Sequence, residues 1–163
     1  MNEHAEKYMK AAIKQAKKAA EKGEVPVGAV IVRDGEIIAR AYNTRETDKN
    51  ALCHAEIKAI KQACKKLGVW RLTRCELYVT LEPCPMCAGA IINSRIVSVV
   101  YGAPDQKAGA FGTCFDMNTF GLNHKPEITG GVMEEECSAL LSDFFKELRE
   151  KRKNEKRAKE NEK

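Results

Sequence analysis

The sequence predicts an α/β fold: a mixed sheet of about five strands with helices on its faces. Three patterns carry that expectation. Apolar residues recur at helical spacing near both ends of the 163-residue chain. Asp34-Gly35 stands between two β-rich runs and marks a hairpin turn. Strand, helix and strand then alternate over "ELYVT", "PMCAGAIINS" and "IVSVVYG", as in a parallel βαβ unit.

Tyr8, Met9, Ala12, Ile13, Ala16, Ala19 and Ala20 share one helical stripe, and Gly23 closes the first helix. "VGAVIV" and "EIIARAYN" make Val27 to Asn43 two antiparallel strands. The polar segment "TRETDKNALC" leads into a second helix, which starts near His54, carries Ile57, Ile60, Cys64 and Leu67 on one face, and stops at Gly68. After the βαβ unit comes a long Gly-containing loop and a short strand at "EIT". In the last helix, Cys137, Leu140, Leu141, Phe144, Phe145 and Leu148 fall on one stripe.

The length suits one domain, set at residues 1–152, followed by a basic tail over 153–163 expected to fray. No apolar run approaches the ~20 residues of a membrane span, and the charged N-terminus lacks a signal-peptide core. A cytoplasmic protein without a membrane partner is expected. Seven cysteines, an odd set in such a chain, are expected as reduced thiols or metal ligands. The formal charge of +5 is concentrated at the end: nine Lys or Arg stand against five Glu from Lys146 to Lys163. Such a segment either attracts phosphates or is simply a solvated helix end.

The chemistry is concentrated in "LEPCPMCAGAI", which holds the chain's C-x-x-C pair, Cys84 and Cys87. A redox couple at a strand-to-helix turn is one reading. A closed structural zinc site is another, but it needs four protein ligands and no second C-x-x-C or His pair is present. A catalytic zinc needs three and an open position, so the two cysteines and one histidine suffice. His4 lies in a charged helix and His124 in a loop, whereas His54 begins a helix two residues before Glu56 in "CHAEIKAI". At a helix N-terminus the cap residue leaves helical dihedrals, which lets His54 and Glu56 converge. Zinc held there lowers the pKa of a water toward ~7, and Glu56 is the candidate catalytic proton shuttle.

H-x-E followed by P-C-x-x-C, here "HAE" and "PCPMC", is the signature of zinc deaminases of nucleobases. Beyond it, "EVPVGAVIV", "LYVTLEPCPMCAGAI", "VVYGAPDQKAGAFG", "EITGGV" and "CSALLSDFF" resemble the bacterial tRNA-specific adenosine deaminases from about Glu6 to Leu148. The resemblance implies a three-layer α/β/α cytidine-deaminase-like fold, a homodimer with one Zn2+ per subunit, and conversion of adenosine to inosine at the wobble position of a tRNA anticodon stem-loop. It implies that His54, Cys84 and Cys87 are the zinc ligands and Glu56 the proton donor. Asn43, Pro26 and Val27 match the substrate-binding positions; Asp105, Lys107, Asn123, His124, Phe144 and Phe145 match those that meet flanking anticodon nucleotides. The alternative is a deaminase of a free nucleobase or nucleotide of the cytosine, guanine or dCMP type. Three departures stand out: "NALC" precedes the histidine where the family has Asp-Pro and a small residue, the loop before Asn123 is about one residue shorter than the family's, and Lys125-Pro126 follows His124 where the family has Arg-Val.

Overall fold

Five strands and four α-helices follow one another in the computed structural model, which describes residues 3–163. They are α1 (Glu3–Glu21), β1 (Gly28–Arg33), β2 (Glu36–Tyr42), α2 (Ala55–Leu67), β3 (Cys75–Leu81), α3 (Pro85–Asn93), β4 (Ser98–Ala103), β5 (Glu127–Thr129) and α4 (Glu134–Asn161). A short 3-10 turn, Met117–Thr119, interrupts the long loop before β5. The strands lie in the order β2-β1-β3-β4-β5; β1 is antiparallel to β2 and to β3, and β3, β4 and β5 run parallel.

Successive strand residues point to opposite faces, and both faces of the central strands are apolar. Ala29, Ile31, Leu77, Val79 and Val99 meet Ala55, Ala59 and Ala63 of α2 and Ala88 and Ile91 of α3. Val30, Val32, Tyr78 and Val100 meet Met9, Ala12 and Ile13 of α1 and Cys137 of α4. The result is the expected α/β/α sandwich with a mixed five-stranded sheet. On the α1 side, Gly28 lies against the Ala12 carbonyl, the Ala16 amide and Gln15 Cβ, so a side chain has no room there. Helix and strand touch backbone to backbone.

The register gathers the site. Gly28 pairs with Tyr42 on one side and its amide donates to Thr80 Oγ1 at 3.2 Å on the other. The segments entering β1, leaving β2 and leaving β3 therefore meet at one edge of the sheet, the carboxyl end of β3, where open α/β sheets place ligands. At the other extreme, α4 is unbroken through residue 152 and reaches Asn161, so the tail expected to fray is helical, with every residue from 149 onward exposed.

Candidate active site

Two helix N-termini face each other at this edge. His54 is the N-cap of α2, with extended backbone (φ −73°, ψ 153°), and Cys84 is the N-cap of α3 (φ −75°, ψ 173°), followed by Pro85, whose fixed φ suits the first turn. Neither side chain caps its own helix. Both are turned instead toward the gap between the helices, where Cys87 joins them from the first turn of α3. His54 Nδ1 lies 3.5 Å from Cys87 Sγ and 3.7 Å from Cys84 Sγ, and all three donor atoms fall within 4.8 Å of one another.

These distances suit zinc. Bonds of about 2.0 Å to nitrogen and about 2.3 Å to sulfur at tetrahedral angles put the N and S donors about 3.5 Å apart. Two thiols and one imidazole would supply three ligands, and two of these residues, His54 and Cys84, also line the cavity described below. Without a metal, a hydrogen bond from Cys87 holds the Cys84 thiol down to about 4, assisted by His54. The same bond, with burial, pushes Cys87 up, and His54 is raised chiefly by its bond to Cys84. The opposite shifts of the two thiols favour a thiolate at Cys84, the form that binds a divalent cation.

Glu56, in the first turn of α2, is 4 % exposed and its carboxyl is pushed up to about 7 by burial. It lines, with His54, Ala55 and Cys84, a cavity of ≈ 160 Å³. The rest of the wall comes from Val25, Val27, Asn43, Arg45, Leu81, Glu82 and Asp105. Asn43 is held by both ends of its amide: Nδ2 donates to the Val25 carbonyl at 3.2 Å and Oδ1 accepts from the Arg45 amide at 3.1 Å. Pro26 is buried between the two lining valines and does not itself reach the cavity.

The positions matched to flanking nucleotides are dispersed. Asp105 lines the cavity, its Oδ1 accepting from the amides of Lys107 (2.9 Å) and Ala108 (3.2 Å), and Lys107 is exposed on the same loop. Asn123 is exposed, and His124 Nε2 meets the Ile96 carbonyl at 2.6 Å beside Arg71, Arg74 and Arg95, at the amino end of β4 and so a strand's length from the cavity. Phe144 and Phe145 stack edge-to-face, with centroids 5.5 Å apart. Phe144 packs into a groove with Ala20, Gly23 and Leu140, while Phe145 is 41 % exposed.

Arg45 and Glu82 also line the cavity, though neither is among the site residues expected from the sequence. For Glu82 the one available signal is an acidic residue ending the apolar run "LYVTLE". Arg45 carries none, because its place depends on the turn that Asn43 makes with its own amide group.

An α/β/α sandwich with one His and two Cys converging at two helix N-termini beside a buried Glu is the arrangement of the nucleobase-type deaminases. The chain belongs to the MafB19-like deaminase family, whose family model matches residues 2–149. It is 58 % identical over 149 residues to a tRNA-specific adenosine deaminase of Bacillus subtilis (strain 168), covering 91 % of this chain and 92 % of the relative. It is 49 % identical over 145 residues to the enzyme of that name from Aquifex aeolicus (strain VF5), covering 88 % and 95 %. A solved structure from a study of A-to-I editing by tRNA:A34 deaminases at the wobble position of transfer RNA superposes with a TM-score of 0.77 at 42 % identity, over 83 % of this chain and 99 % of that one. A guanine deaminase from Bacillus subtilis superposes with a TM-score of 0.61 at 41 % identity, over 77 % and 79 %.

Proposed function

We propose that this chain hydrolyses adenosine to inosine at the wobble position, nucleotide 34, of a tRNA anticodon loop, and that it does so with zinc, as a cytoplasmic homodimer. The observation that carries the reading is the cluster of His54, Cys84 and Cys87 beside a small cavity that Glu56 lines, in a chain so close to tRNA-specific adenosine deaminases. Among the described residues, no helix is long and apolar enough to cross a membrane.

His54, Cys84 and Cys87 would hold one zinc ion per chain, which supplies the Lewis acidity that brings a water toward a pKa of ~7. Glu56 does the proton work. A carboxyl at about 7 can take a proton from the attacking water and deliver it to N1 of adenine, then take the second proton from the new C6 hydroxyl and give it to the departing amine. Water oxygen bonds to C6, the C6–N6 bond breaks, and ammonia leaves. Asn43 would orient the nucleoside, with Val27 as a wall and Pro26 packed behind it. An unpaired anticodon base reaches such a cavity at low unstacking cost.

Asp105 and Lys107 would meet the flanking nucleotides directly. Asn123 and His124 lie too far from the cavity of their own chain to do so, and they enter this reading through the homodimer, in which RNA held by one subunit extends over the other. Phe144 and Phe145 would touch RNA through the exposed Phe145 ring, with Phe144 supporting it from the groove.

The test is deamination of an anticodon stem-loop with adenosine at the wobble position, beside Glu56→Ala, with zinc measured on both proteins. Inosine from the wild type alone, with zinc on both, supports the reading. The guanine deaminase superposition makes a free base the competing substrate. Turnover of guanine or cytosine with none of the stem-loop would overturn the RNA assignment and leave the metal site standing.

A further inference from the structure

Two carboxylates beside the cavity take no part in the chemistry above, yet each is only 1 % exposed: Glu24 and Glu82. Neither is in an ion pair among the described residues. Each is instead surrounded by donors from a loop distant in sequence. Glu82 Oε1 accepts from the Asp105 amide at 3.2 Å and from the Thr113 hydroxyl, and Oε2 accepts from the amides of Phe111 (3.1 Å) and Thr113 (3.2 Å). Glu24 Oε1 accepts from the Glu46 amide at 3.1 Å, and Oε2 from the Thr47 amide at 2.7 Å. Those bonds hold the Glu24 carboxyl below its ordinary range against the opposing effect of burial.

Both loops contribute to the cavity wall. Arg45, adjacent to the Glu46 amide that Glu24 binds, lines one lip; Asp105, whose own amide Glu82 binds, lines the other. Irregular backbone has no ladder partners, so its buried amides need acceptors from elsewhere, and an ionised carboxylate offers acceptors only, on two oxygens. Apolar packing would hold a loop with less desolvation, but without fixing which amide sits where. Gly109 shows how closely the second lip is wrapped: a Cβ there would stand 2.5 Å from Glu82 Cδ.

We propose that Glu24 and Glu82 are positioning residues that hold the two lips, residues 44–47 and 105–113, in the register that reads the nucleotides flanking the target adenosine. The inference rests on the RNA reading above and deepens it: specificity for RNA sequence is set through Arg45 and Asp105, and these two carboxylates set Arg45 and Asp105. The contrast is with a role confined to holding the fold.

Glu82→Gln and Glu24→Gln, in the zinc-loaded protein, separate the two. Each keeps shape but puts an NH2 group against amide donors, and Glu82→Asp restores the charge with a shorter reach. Hydrogen exchange at the Phe111 and Thr113 amides should quicken about tenfold or more in Glu82→Gln, with residues 46 and 47 unchanged, and the converse should hold for Glu24→Gln. KM for the stem-loop should rise by about tenfold, more than kcat falls, with partial recovery in Glu82→Asp. Discrimination against a stem-loop with a substituted flanking nucleotide should shrink. Lower melting temperatures with KM and discrimination unchanged would overturn the proposal. Should Glu82→Gln not fold, Gly109→Ala displaces the same lip while keeping the carboxylate, and the same readouts apply. A wild type inactive on the stem-loop would sink the substrate reading and the lip assignment together; an active wild type with unaltered variants sinks the lip assignment alone.

Discussion

His54 and Cys84 occupy the same structural position on two different helices: each is an N-cap with extended backbone, and neither caps its own helix. A His at an N-cap forgoes the capping bonds that Ser, Thr, Asp or Asn would make there, which are worth about 1 kcal/mol. The two helices give up that local stabilisation in exchange for pointing both side chains at one place.

Cys84→Ser and His54→Asn should therefore hold or improve the caps while removing metal. We expect zinc content to collapse in both, and activity to fall by more than the about 10–100-fold that outer-shell changes around metals cost. Metal analysis beside stability in the presence of a chelator checks this: the Ser variant, stripped of zinc, should unfold no earlier than the stripped wild type.

Glu56 gives a pH signature in the metal-free protein. Its folded pKa, about 7, lies above the ordinary 4.5, so the folded state binds the extra proton and is favoured below 4.5. That advantage is lost as pH rises through about 7. Glu56→Gln removes the titration, so the variant should gain on the wild type between about pH 4.5 and 7, by up to about 3 kcal/mol, and run parallel above. Cys84, depressed to about 4, slopes the other way, and because its charge helps to raise Glu56 the two titrations are coupled, so the sign and pH window of the difference are the test. Denaturant titrations across that range, with chelator present, measure the difference.

Gly28→Ala tests the close approach of α1 to β1. The added methyl meets Ala12, Gln15 and Ala16 with nowhere to go, and we expect a loss of about 1–3 kcal/mol. The loss should appear in thermal unfolding. Because the Gly28 amide also binds Thr80 Oγ1 at the site's edge, kcat/KM should fall as well.

Removing residues 153–163 should leave turnover of saturating stem-loop unchanged and weaken RNA binding at low salt. For every phosphate that the shortened chain no longer neutralises, the plot of log affinity against log salt becomes shallower by about 0.7–0.9. An unchanged slope would show that these charges face solvent only.

The strands and helices were legible because their signals are local. Val27 to Asn43 reads as a hairpin from Asp34-Gly35, and α4 from a stripe that begins at Cys137. His54, Glu56, Cys84 and Cys87 were legible because helix starts can be read from sequence and a metal constrains what may meet there. The lips were not. Glu82 finds its partners 23 to 31 residues later, in a loop whose path no periodicity encodes. His124 is fixed by a carbonyl 28 residues earlier, which removes it from the cavity of its own chain. The end of α4 was legible only in part: its alternating charge suits a solvated helix end, but without an apolar stripe nothing in the sequence marks how far the helix runs, which is to Asn161.

That continuation lies beyond residue 149, where the match to the family model ends. Twelve further helical residues at about 1.5 Å each make a rod about 18 Å long with no side chain buried in the domain. A segment so uncoupled from the core can lengthen, shorten or change sign over generations without any compensating change in the catalytic domain. The charge of this rod is thus free of the packing constraints that fix the deaminating centre.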